Sequence, residues 1–567
     1  MPGDTRRTFS SLTLNRRRAL TFGLVAAAPA VHAQTPAAVA FKHGVAAGDP
    51  LADRLILWTR ITTEPTATPA VTWQIAEEQA FARIVAKGTV IAQAASDHTV
   101  KIDVGGLKPG REYWYRFSAQ GVTSPVGRAR TLPVGATPDV VLAVVSCSLY
   151  PGGLFNAYEA LAQQPRVDAV LHLGDYIYEY GAEPGQYGME IGSKIGRVPD
   201  PPHEIVSLAD YRRRHALYKA DADLQAAHAR AAWICVWDDH ETANDSWIGG
   251  AENHQPEKEG VWATRKAAAL KAYFEWMPIR DPKGRMAEAI QRSFDFGDLA
   301  TLIMVETRLQ ARSEQLSFAK DLPITAGPDG RPNIDVKGFI ARLNAPERAL
   351  LGQEQEAWIG GELKRSRQSG RKWQVIGNQV VMARVFGPDL EKVAGPAWPE
   401  ILAGLDEATR NEVAQAAQLF KLGLPMNLDS WDGYPAARER LYDLFKAADA
   451  NPIVLAGDSH AFWVNDLLDA SGRRVAWELG STGITSPSWG DSAPKLPLGA
   501  AVTARNDEVI FNDQLSKGFA LLTLTPDGAK AELFAVSTIL AKPYETRRVA
   551  TARSSSQAGA LKRPTMD

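Results

Sequence analysis

The sequence predicts a mixed α/β protein in which a small β-sandwich precedes an α/β or layered α/β/β/α domain. Two patterns and the chain length lead to this prediction. From Asp139 onward, short apolar runs alternate with stretches of helical periodicity. Before that point, short alternating strands are separated by turn residues, and helical periodicity is absent. A chain of 567 residues is also too long for one core, so at least two structural units are expected.

The first 33 residues are predicted to be a bacterial export signal. A basic cluster, Arg16 to Arg18, precedes a short apolar stretch, and Val31 and Ala33 occupy the positions of a signal-peptidase site. The Arg16-Arg17 pair resembles the twin-arginine pattern of proteins that are exported already folded. We therefore expect the twin-arginine translocation machinery as a partner during export, and a periplasmic or secreted location. The alternative is an ordinary secretory signal with a basic start.

Composition and charge exclude several classes of function. Hydrophobic residues make up 45% and charged residues 23%, as in globular proteins and unlike disordered or fibrous chains. Without residues 1–33, the chain has 58 Lys and Arg against 64 Asp and Glu, a net charge of −6, and no basic stripe that would indicate a nucleic-acid partner. No later apolar run is long enough to span a membrane, and the signal has no cysteine for lipid attachment, so no membrane anchor is expected.

The N-terminal strands are predicted to form a β-sandwich domain over residues 41–132. The strands include "DRLILWTRI", "AVTWQIA" and "HTVKIDV", and Tyr113 and Tyr115 in "LKPGREYWYRF" resemble the tyrosine corner of fibronectin-like sandwiches. A linker, "TLPVGATPD", follows. We assign residues 139–550 to the second domain and residues 551–567 to a flexible tail.

Six apolar runs are the predicted strands of the second domain: "VVLAVVSCS", "VDAVLHLGD", "AAWICVWDDH", "LATLIMVETR", "WQVIGNQ" and "PIVLAGDSH". Helices are predicted between them at residues 207–231, 261–276, 345–367 and 402–420.

Five of these six strands end in side chains that can bind a cation: Cys147, Asp175, the group Asp238-Asp239-His240, Glu306, and Asp458 with His460. Ligands bind at the carboxyl ends of strands in open α/β sheets, so these side chains are expected to converge. Asp175 and Tyr178 share a face if the chain makes one helical turn after the strand. Asp458 and His460 lie on the same side of an extended segment. The repetition predicts a metal site.

Each residue taken alone has another interpretation. Aspartate after a strand-ending glycine, as at Asp175 and Asp458, is commonly a helix cap or turn residue. A lone histidine such as His460 is commonly a core residue, and a tyrosine such as Tyr178 usually packs. Considered as a set, the donors are mostly oxygens with one thiolate and one phenolate, without the paired Cys or His of a structural zinc site. Thiolate and phenolate suit trivalent iron, whereas extra carboxylates suit Ca²⁺ or another hard divalent ion.

The motifs "SCS", "LGDYIYEY", "WDDHETAND" and "GDSHAFW", in this order, resemble the PhoD family of alkaline phosphatases and phosphodiesterases. The segment "GVAAGDPLADRLILWTRI" resembles the N-terminal β-domain of that family. More distantly, the order of the motifs is similar to that of the calcineurin-like metallophosphoesterases. The resemblance covers nearly the whole chain after the signal, and implies a layered metallophosphoesterase-like catalytic domain.

The resemblance implies hydrolysis of phosphate esters at a site that holds one Fe³⁺ and Ca²⁺. Iron would be held by Cys147, Asp175, Tyr178 and His460, and Asp175 would also bridge to calcium. The cations would bind the phosphoryl oxygens and lower the pKa of a water molecule that acts as the nucleophile. No Gly-x-Ser-x-Gly serine motif is present.

The remaining site residues are implied in the same way. Asp239 and Asp458 would be further metal ligands, with Asn244 as an additional candidate. His240 would contact the substrate phosphate or leaving group, and Asp238 would fix neighbouring ligands. Arg265 would neutralise a phosphate oxygen, unless it is a solvated helix residue.

Three points qualify the resemblance. An even number of cysteines in an oxidising compartment indicates a disulfide, but iron binding by Cys147 would leave Cys235 as an ordinary buried thiol. "VETR" departs from the expected Asp-Thr-Arg, so Glu306 is not assigned as a ligand. "DSWDGYPAARERL" and "GSTGITSPS" are similar to family segments, and we expect loops over the site.

Two alternative functions remain at this stage. The first is a phosphodiesterase or phospholipase D-like activity with the same metals. The second is a non-catalytic metal-binding protein on the same scaffold.

Overall fold

A computed structural model describes residues 39–567, apart from residues 283, 285, 327–331 and 558–559. The predicted export signal, residues 1–33, lies outside the described residues. The described part is a mixed α/β structure, which confirms the predicted mixed α/β class. None of its helices has both the length and the apolar character that crossing a bilayer requires.

The largest sheet contains eleven strands among the described residues. Its centre is three parallel strands, Val140–Val145, Ala169–His172 and Ala232–Cys235, which are almost wholly buried. Strands buried on both faces have uninterrupted apolar sequences, which is why these three could be predicted. In order across the sheet the strands are Ala560–Leu561, Thr546–Gln557, Gly528–Val536, Lys517–Leu524, Val140–Val145, Ala169–His172, Ala232–Cys235, Val45–Gly48, Leu55–Arg60 and Thr99–Val104, and Thr565–Met566 pairs with Thr546–Gln557.

A second sheet contains seven strands of the described chain. Its centre holds the other three predicted strands, Ala300–Met304, Trp373–Gly377 and Pro452–Ala456, which are also parallel. All six predicted strands of the second domain are therefore confirmed, three in each sheet. In order across the sheet the strands are Arg292–Phe296, Ala300–Met304, Trp373–Gly377, Pro452–Ala456, Arg474–Gly480, Phe462–Leu468 and Val509–Asp513.

The two large sheets share one apolar core. Val144 and Ile234 of the first sheet belong to the same cluster of buried side chains as Leu302, Val375 and Leu455 of the second. Burial of this continuous apolar surface is the main force that holds the sheets together.

The N-terminal strands lie in two sheets that share a core, and one of these sheets continues into the largest sheet. Five of them form a separate sheet: Ile84–Ile91, Ala70–Ala76, Glu112–Ala119, Val122–Thr123 and Gly127–Arg130. The others, including Val45–Gly48, extend the largest sheet beside Ala232–Cys235. The small side chains of "VAAG" allow this close pairing, since a Cβ at Gly48 would lie 2.7 Å from the carbonyl oxygen of Trp233.

The predicted helices are present with altered bounds. Residues 261–276 correspond to Trp262–Trp276, and residues 345–367 correspond to Gln353–Gln368, which begins after Gly352 at a φ of 75°. The other two predictions each contain a break, because an aspartate caps a new helix in the middle. Asp221 separates Leu208–Lys219 from Ala222–Arg230, and Asp406 separates Trp398–Ala403 from Glu407–Lys421.

The described residues also contain helices that were not predicted, and most of these helices are short. They are Asn156–Ala162, Met189–Ile195, Pro256–Glu259, Phe318–Asp321, Val336–Leu343, Leu390–Ala394, Pro435–Ala447, Trp489–Ser492 and Leu498–Arg505. A two-stranded hairpin, Ile324–Ala326 with Pro332–Ile334, completes the pairing of the described strands.

The C-terminal segment, predicted as a tail over residues 551–567, contains paired strands. Thr546–Gln557 pairs with Gly528–Val536, and Thr565–Met566 folds back onto it. Ala552 is fully buried there. The short side chains of "VATARSSSQ" give a weak strand signal, and the pairing is determined by the neighbouring strand.

Candidate metal centre

Strand ends from both large sheets meet at one place. Cys147 and Asp175 follow strands of the first sheet, and Asp458 and His460 follow Pro452–Ala456 of the second. A parallel bridge between Ser146 and Gly483 joins the two sheets beside them. The convergence predicted for these four residues is therefore present in the structure.

Three groups of side chains each offer ligand atoms that lie within 4.8 Å of one another. They are Cys147 with Asp175 and His460, Asp175 with Asp239 and His240, and Asp238 with Asp239 and Asp458. Asp175 is common to the first two groups, and Asp239 is common to the last two. The groups therefore form one continuous cluster rather than separate sites.

The backbone at this cluster is unusual. Cys147, Asp175, Asp458 and His460 have φ values of 61°, 57°, 57° and 56°, in the left-handed region that residues other than glycine rarely occupy. Such strained residues concentrate at functional sites. The helical turn considered for Asp175 to Tyr178 is absent, and the left-handed turn at Asp175 brings the two side chains together instead.

Tyr178 contacts two members of the first group. Its hydroxyl oxygen is 3.0 Å from Asp175 Oδ2, 3.3 Å from His460 Nε2 and 2.7 Å from Ser486 Oγ. Burial, followed by the charge of Asp175, raises the pKa of the Tyr178 phenol well above its ordinary value. A cation at the cluster would be needed to favour the phenolate.

His460 is oriented by a backbone carbonyl. Its Nδ1 lies 2.7 Å from the oxygen of Pro487, which can only accept a hydrogen bond, so Nδ1 carries the proton. Nε2 is then the unprotonated nitrogen, and it lies 3.9 Å from Asp175 Oδ2. Burial lowers the pKa of His460 to about 3. The imidazole is thus neutral and in the form that binds metals.

Three carboxylate oxygens of the cluster have no hydrogen-bond partner although they are buried: Asp175 Oδ1, Asp238 Oδ2 and Asp239 Oδ1. A buried, unpaired carboxylate oxygen is costly unless a cation or a proton satisfies it. Burial raises the pKa of Asp175 and of Asp458 well above the ordinary value, with neighbouring aspartates adding to the effect. These oxygens, with the nearby thiol, phenol and neutral imidazole, suit hard or trivalent cations.

His240 forms a buried pair with a carboxylate. Its Nδ1 donates to Glu179 Oε2 over 2.7 Å, and its ring lies 4.2 Å from the ring of Tyr178. Burial opposes a charge on this ring, but Asp239, Glu179 and Asp175 outweigh burial and raise the pKa of His240 well above its ordinary value. These neighbouring carboxylates therefore favour the charged form of the His240 ring.

Asn244 and Arg265 make other contacts. The amide nitrogen of Asn244 donates to Glu252 Oε2 over 3.3 Å and its backbone N–H donates to Glu179 Oε1 over 2.8 Å, so its side-chain oxygen stays available to a cation. Arg265 is fully buried, and it donates to Glu204, Glu259, Tyr211 and the carbonyl of Asn253. Its guanidinium is occupied by these acceptors, so the structure does not support a role in binding the phosphate.

One arginine that reaches the cluster, Arg308, was not predicted from the sequence. Arg308, with no solvent exposure, donates to Asp238 Oδ1 over 2.5 Å, to Asp429 Oδ1 over 2.7 Å and to Asp458 Oδ1 over 3.3 Å. The guanidinium of Arg308 also lies 3.7 Å from Asp239 Oδ1. The guanidinium of Arg308 therefore already supplies a positive charge to the third group. The only available signal was its place in "VETR", after a strand that ends at the cluster.

Two buried glutamates hold the loops of the cluster through backbone N–H groups. Glu306 accepts from Trp237 Nε1 and from the backbone of Arg308, Leu309 and Gln310, which agrees with our omission of Glu306 from the ligands. Glu241 accepts from the backbone of Asp175 over 3.1 Å, Tyr176 over 2.6 Å and Asp238 over 2.9 Å. Both glutamates thus fix strand exits rather than bind a ligand.

The two segments expected to lie over the site do contact it. In "GSTGITSPS", Ser486 contacts Tyr178 and donates to the carbonyl of Cys147 over 2.8 Å, and Pro487 orients His460. In "DSWDGYPAARERL", Asp429 contacts Arg308, but the second half forms the helix Pro435–Ala447.

Both cysteines are buried free thiols. Cys147 Sγ lies 3.1 Å from Ser146 Oγ at the cluster, and Cys235 lies inside a strand of the largest sheet.

Similarity to known proteins covers this region and the N-terminal strands. Residues 142–533 match the family model for PhoD-like phosphatase, and residues 26–133 match the model for its N-terminal domain. Alkaline phosphatase D of Bacillus subtilis (strain 168) is 36% identical over 516 residues, which are 87% of this chain and 77% of that protein. A solved structure of PhoD aligns with a TM-score of 0.74 at 31% identity, over 92% of this chain and 91% of that one.

Proposed function

Because the chain belongs to the PhoD-like phosphatase family, we propose that it is an exported phosphoesterase whose activity depends on Fe³⁺ and Ca²⁺. The chain is an enzyme, a phosphatase of this family. The metal dependence is supported above all by one observation: three buried carboxylate oxygens within one cluster lack a hydrogen-bond partner among the described residues.

The ligands are divided between two positions in this proposal. Cys147, Asp175, Tyr178 and His460 would hold iron, because a thiol, a carboxylate and an imidazole lie within 4.8 Å of one another and the phenol contacts two of them. Asp175 would also contact calcium, together with Asp239 and Asp458. Asn244 stays a further candidate ligand for calcium, because Glu252 accepts only from its amide nitrogen and the side-chain oxygen is not engaged.

When bound, the cations would polarise the phosphoryl group and lower the pKa of a water molecule. The protein supplies position and charge for the rest of the reaction. Glu179 fixes the ring of His240 by accepting from Nδ1, and the imidazolium would donate a proton to the oxygen of the leaving group. Arg308 would hold the neighbouring aspartates in place and partly neutralise their charge.

Two finer expectations belong to the same proposal. The shared core of the two large sheets supports a layered α/β/β/α arrangement. The composition of residues 1–33 supports export to the periplasm or beyond by the twin-arginine route.

The test is elemental analysis of the protein purified from the periplasm without chelators, combined with assays on a phosphate monoester and a phosphate diester. We expect near-stoichiometric iron with calcium, and activity that a chelator removes and that the two metals restore. Zinc alone, or no metal, would contradict the ligand assignment. A fully metal-loaded protein that hydrolyses neither substrate would support the non-catalytic alternative, and a preference for the diester would support the phosphodiesterase.

A further inference from the structure

Three tyrosines and His240 form a continuous row of aromatic rings beside the candidate metal centre. The ring centroid of His240 lies 4.2 Å from that of Tyr178 and 5.4 Å from that of Tyr180. Tyr187 continues the row, 6.0 Å from Tyr178 and 5.7 Å from Tyr180. The ligand Tyr178 and the proton donor proposed above therefore share a wall with two tyrosines that have no role so far.

These two tyrosines differ from Tyr178 in their exposure. Tyr178 is buried, whereas Tyr180 and Tyr187 are each partly exposed. The hydroxyl of Tyr187 is fixed, because it donates to the carbonyl of Pro487 over 3.2 Å. The hydroxyl of Tyr180 makes no hydrogen bond to any other residue in the described part of the chain. Partly exposed rings beside a reaction centre are available to a ligand.

The space beside the rings limits how a ligand would lie. Tyr178, Tyr180 and Tyr187 line a narrow crevice together with Tyr150 and Tyr218, and this crevice holds almost no free volume. The crevice is too small to enclose the organic part of most phosphate esters, so a ligand would lie across the exposed ring faces. Flat apolar groups make the best contact with such faces.

We infer that Tyr180 and Tyr187 form a subsite for a planar ring in the leaving group, as in aryl phosphates and nucleoside phosphates. The inference rests on the proposed function, in which the leaving group departs next to His240. Tyr180 and Tyr187 would act on specificity, by stacking against the ring, and would not take part in proton transfer.

The test compares Tyr180→Ala with Tyr180→Phe in the metal-loaded protein on 4-nitrophenyl phosphate, adenosine 5′-monophosphate and glycerol 3-phosphate. For Tyr180→Ala we expect kcat/KM on the two ring substrates to fall by about 5- to 150-fold, the range for stacking of one base on an aromatic side chain, mainly through KM. Glycerol 3-phosphate should change by less than about twofold. Tyr180→Phe should retain the wild-type values, since the ring remains.

The control is Tyr544→Ala, which removes a partly exposed tyrosine outside the row of rings. It should leave kcat/KM unchanged on all three substrates. Equal losses on ring and glycerol substrates would overturn the subsite, and so would an unchanged Tyr180→Ala. If Tyr180→Ala does not fold, Tyr180→Leu replaces it as a variant that keeps apolar bulk.

A binding measurement separates this inference from the proposed function. Calorimetry with phenylphosphonate and methylphosphonate on the metal-loaded protein should give a preference for the phenyl compound that Tyr180→Ala removes. A protein that hydrolyses none of the esters but keeps this preference would refute the proposed function alone. Equal affinities for the two phosphonates would refute the subsite.

Discussion

Replacing Arg308 by methionine tests whether a built-in cation stabilises the aspartates of the third group. Methionine keeps most of the apolar volume of the arginine stem but removes the guanidinium. Arg308 has no solvent exposure and contacts Asp238, Asp429 and Asp458 at 2.5, 2.7 and 3.3 Å. Removing one partner from a buried ion pair typically costs about 3–5 kcal/mol, because the remaining charge is left without compensation. We expect a loss of this size in the free energy of unfolding without added metal.

Calcium should restore part of this loss. Without the guanidinium, the carboxylates of Asp238, Asp239 and Asp458 form an uncompensated group with oxygens within 4.8 Å of one another. A ligand that binds only the folded state at 100 times its Kd stabilises by about 2.7 kcal/mol. Added calcium should therefore stabilise Arg308→Met by more than it stabilises the wild type, which keeps the arginine.

The assay is urea unfolding of the wild type and the variant, with and without millimolar calcium. Arg265→Met is the matched control, since it also removes a fully buried guanidinium from two carboxylates, Glu204 and Glu259, that lie outside the three groups. Arg265→Met should also lose stability, but calcium should stabilise it no more than it stabilises the wild type. The reasoning is refuted if Arg308→Met is as stable as the wild type. It is also refuted if calcium stabilises Arg308→Met no more than it stabilises the wild type.

Three further predictions test single residues. Tyr178→Phe should abolish the visible charge-transfer band expected of iron-bound tyrosinate, whereas Tyr187→Phe should retain it; an unchanged spectrum in Tyr178→Phe would exclude Tyr178 as a ligand. Glu241→Gln should weaken metal retention by about 10- to 100-fold, since an amide has one acceptor oxygen for three backbone N–H groups; equal iron release from variant and wild type on dialysis against a chelator would contradict this. Burial lowers the pKa of Lys219 from 10.5 to about 7, so between these values the unfolded chain binds a proton that the folded protein does not, and stability should rise with pH across this window. Between pH 7 and pH 9, the free energy of unfolding in urea should rise less in Lys219→Met than in the wild type. An equal rise in both proteins would show that Lys219 is not its cause.

The sequence was sufficient for features that depend on local pattern. The six strands of the second domain could be predicted because a parallel strand buried on both faces, such as Ala169–His172, must be apolar throughout. The ligands that follow the strands could be predicted because parallel strands end at the same edge. The helix breaks at Asp221 and Asp406 could not, since an aspartate in a long polar stretch is compatible with either an interior or a capping position.

The features that were missed depend on contacts between distant segments. Arg308 is 70 residues from Asp238 and 150 from Asp458, so nothing near it in the sequence indicates its partners. From the sequence, the position of Arg265 on its helix is compatible with binding phosphate and also with a buried ion pair. Only the positions of Glu204 and Glu259 in the fold show that it forms ion pairs. A buried arginine can be recognised as charged from the sequence, but its acceptors are determined by the fold.

The distribution of partners within the cluster indicates where cations are required. In the third group, one oxygen of Asp238 and one of Asp458 accept hydrogen bonds from Arg308. Asp175 Oδ1, by contrast, lacks a hydrogen-bond partner, and no arginine or lysine of the described residues forms an ion pair with Asp175, whereas Asp239 Oδ1 lies 3.7 Å from Arg308. The need for an external cation is therefore greatest at the two groups that share Asp175. We expect two metal ions at this cluster while Arg308 is present, and a third only when it is removed, which the calcium content of Arg308→Met would measure directly.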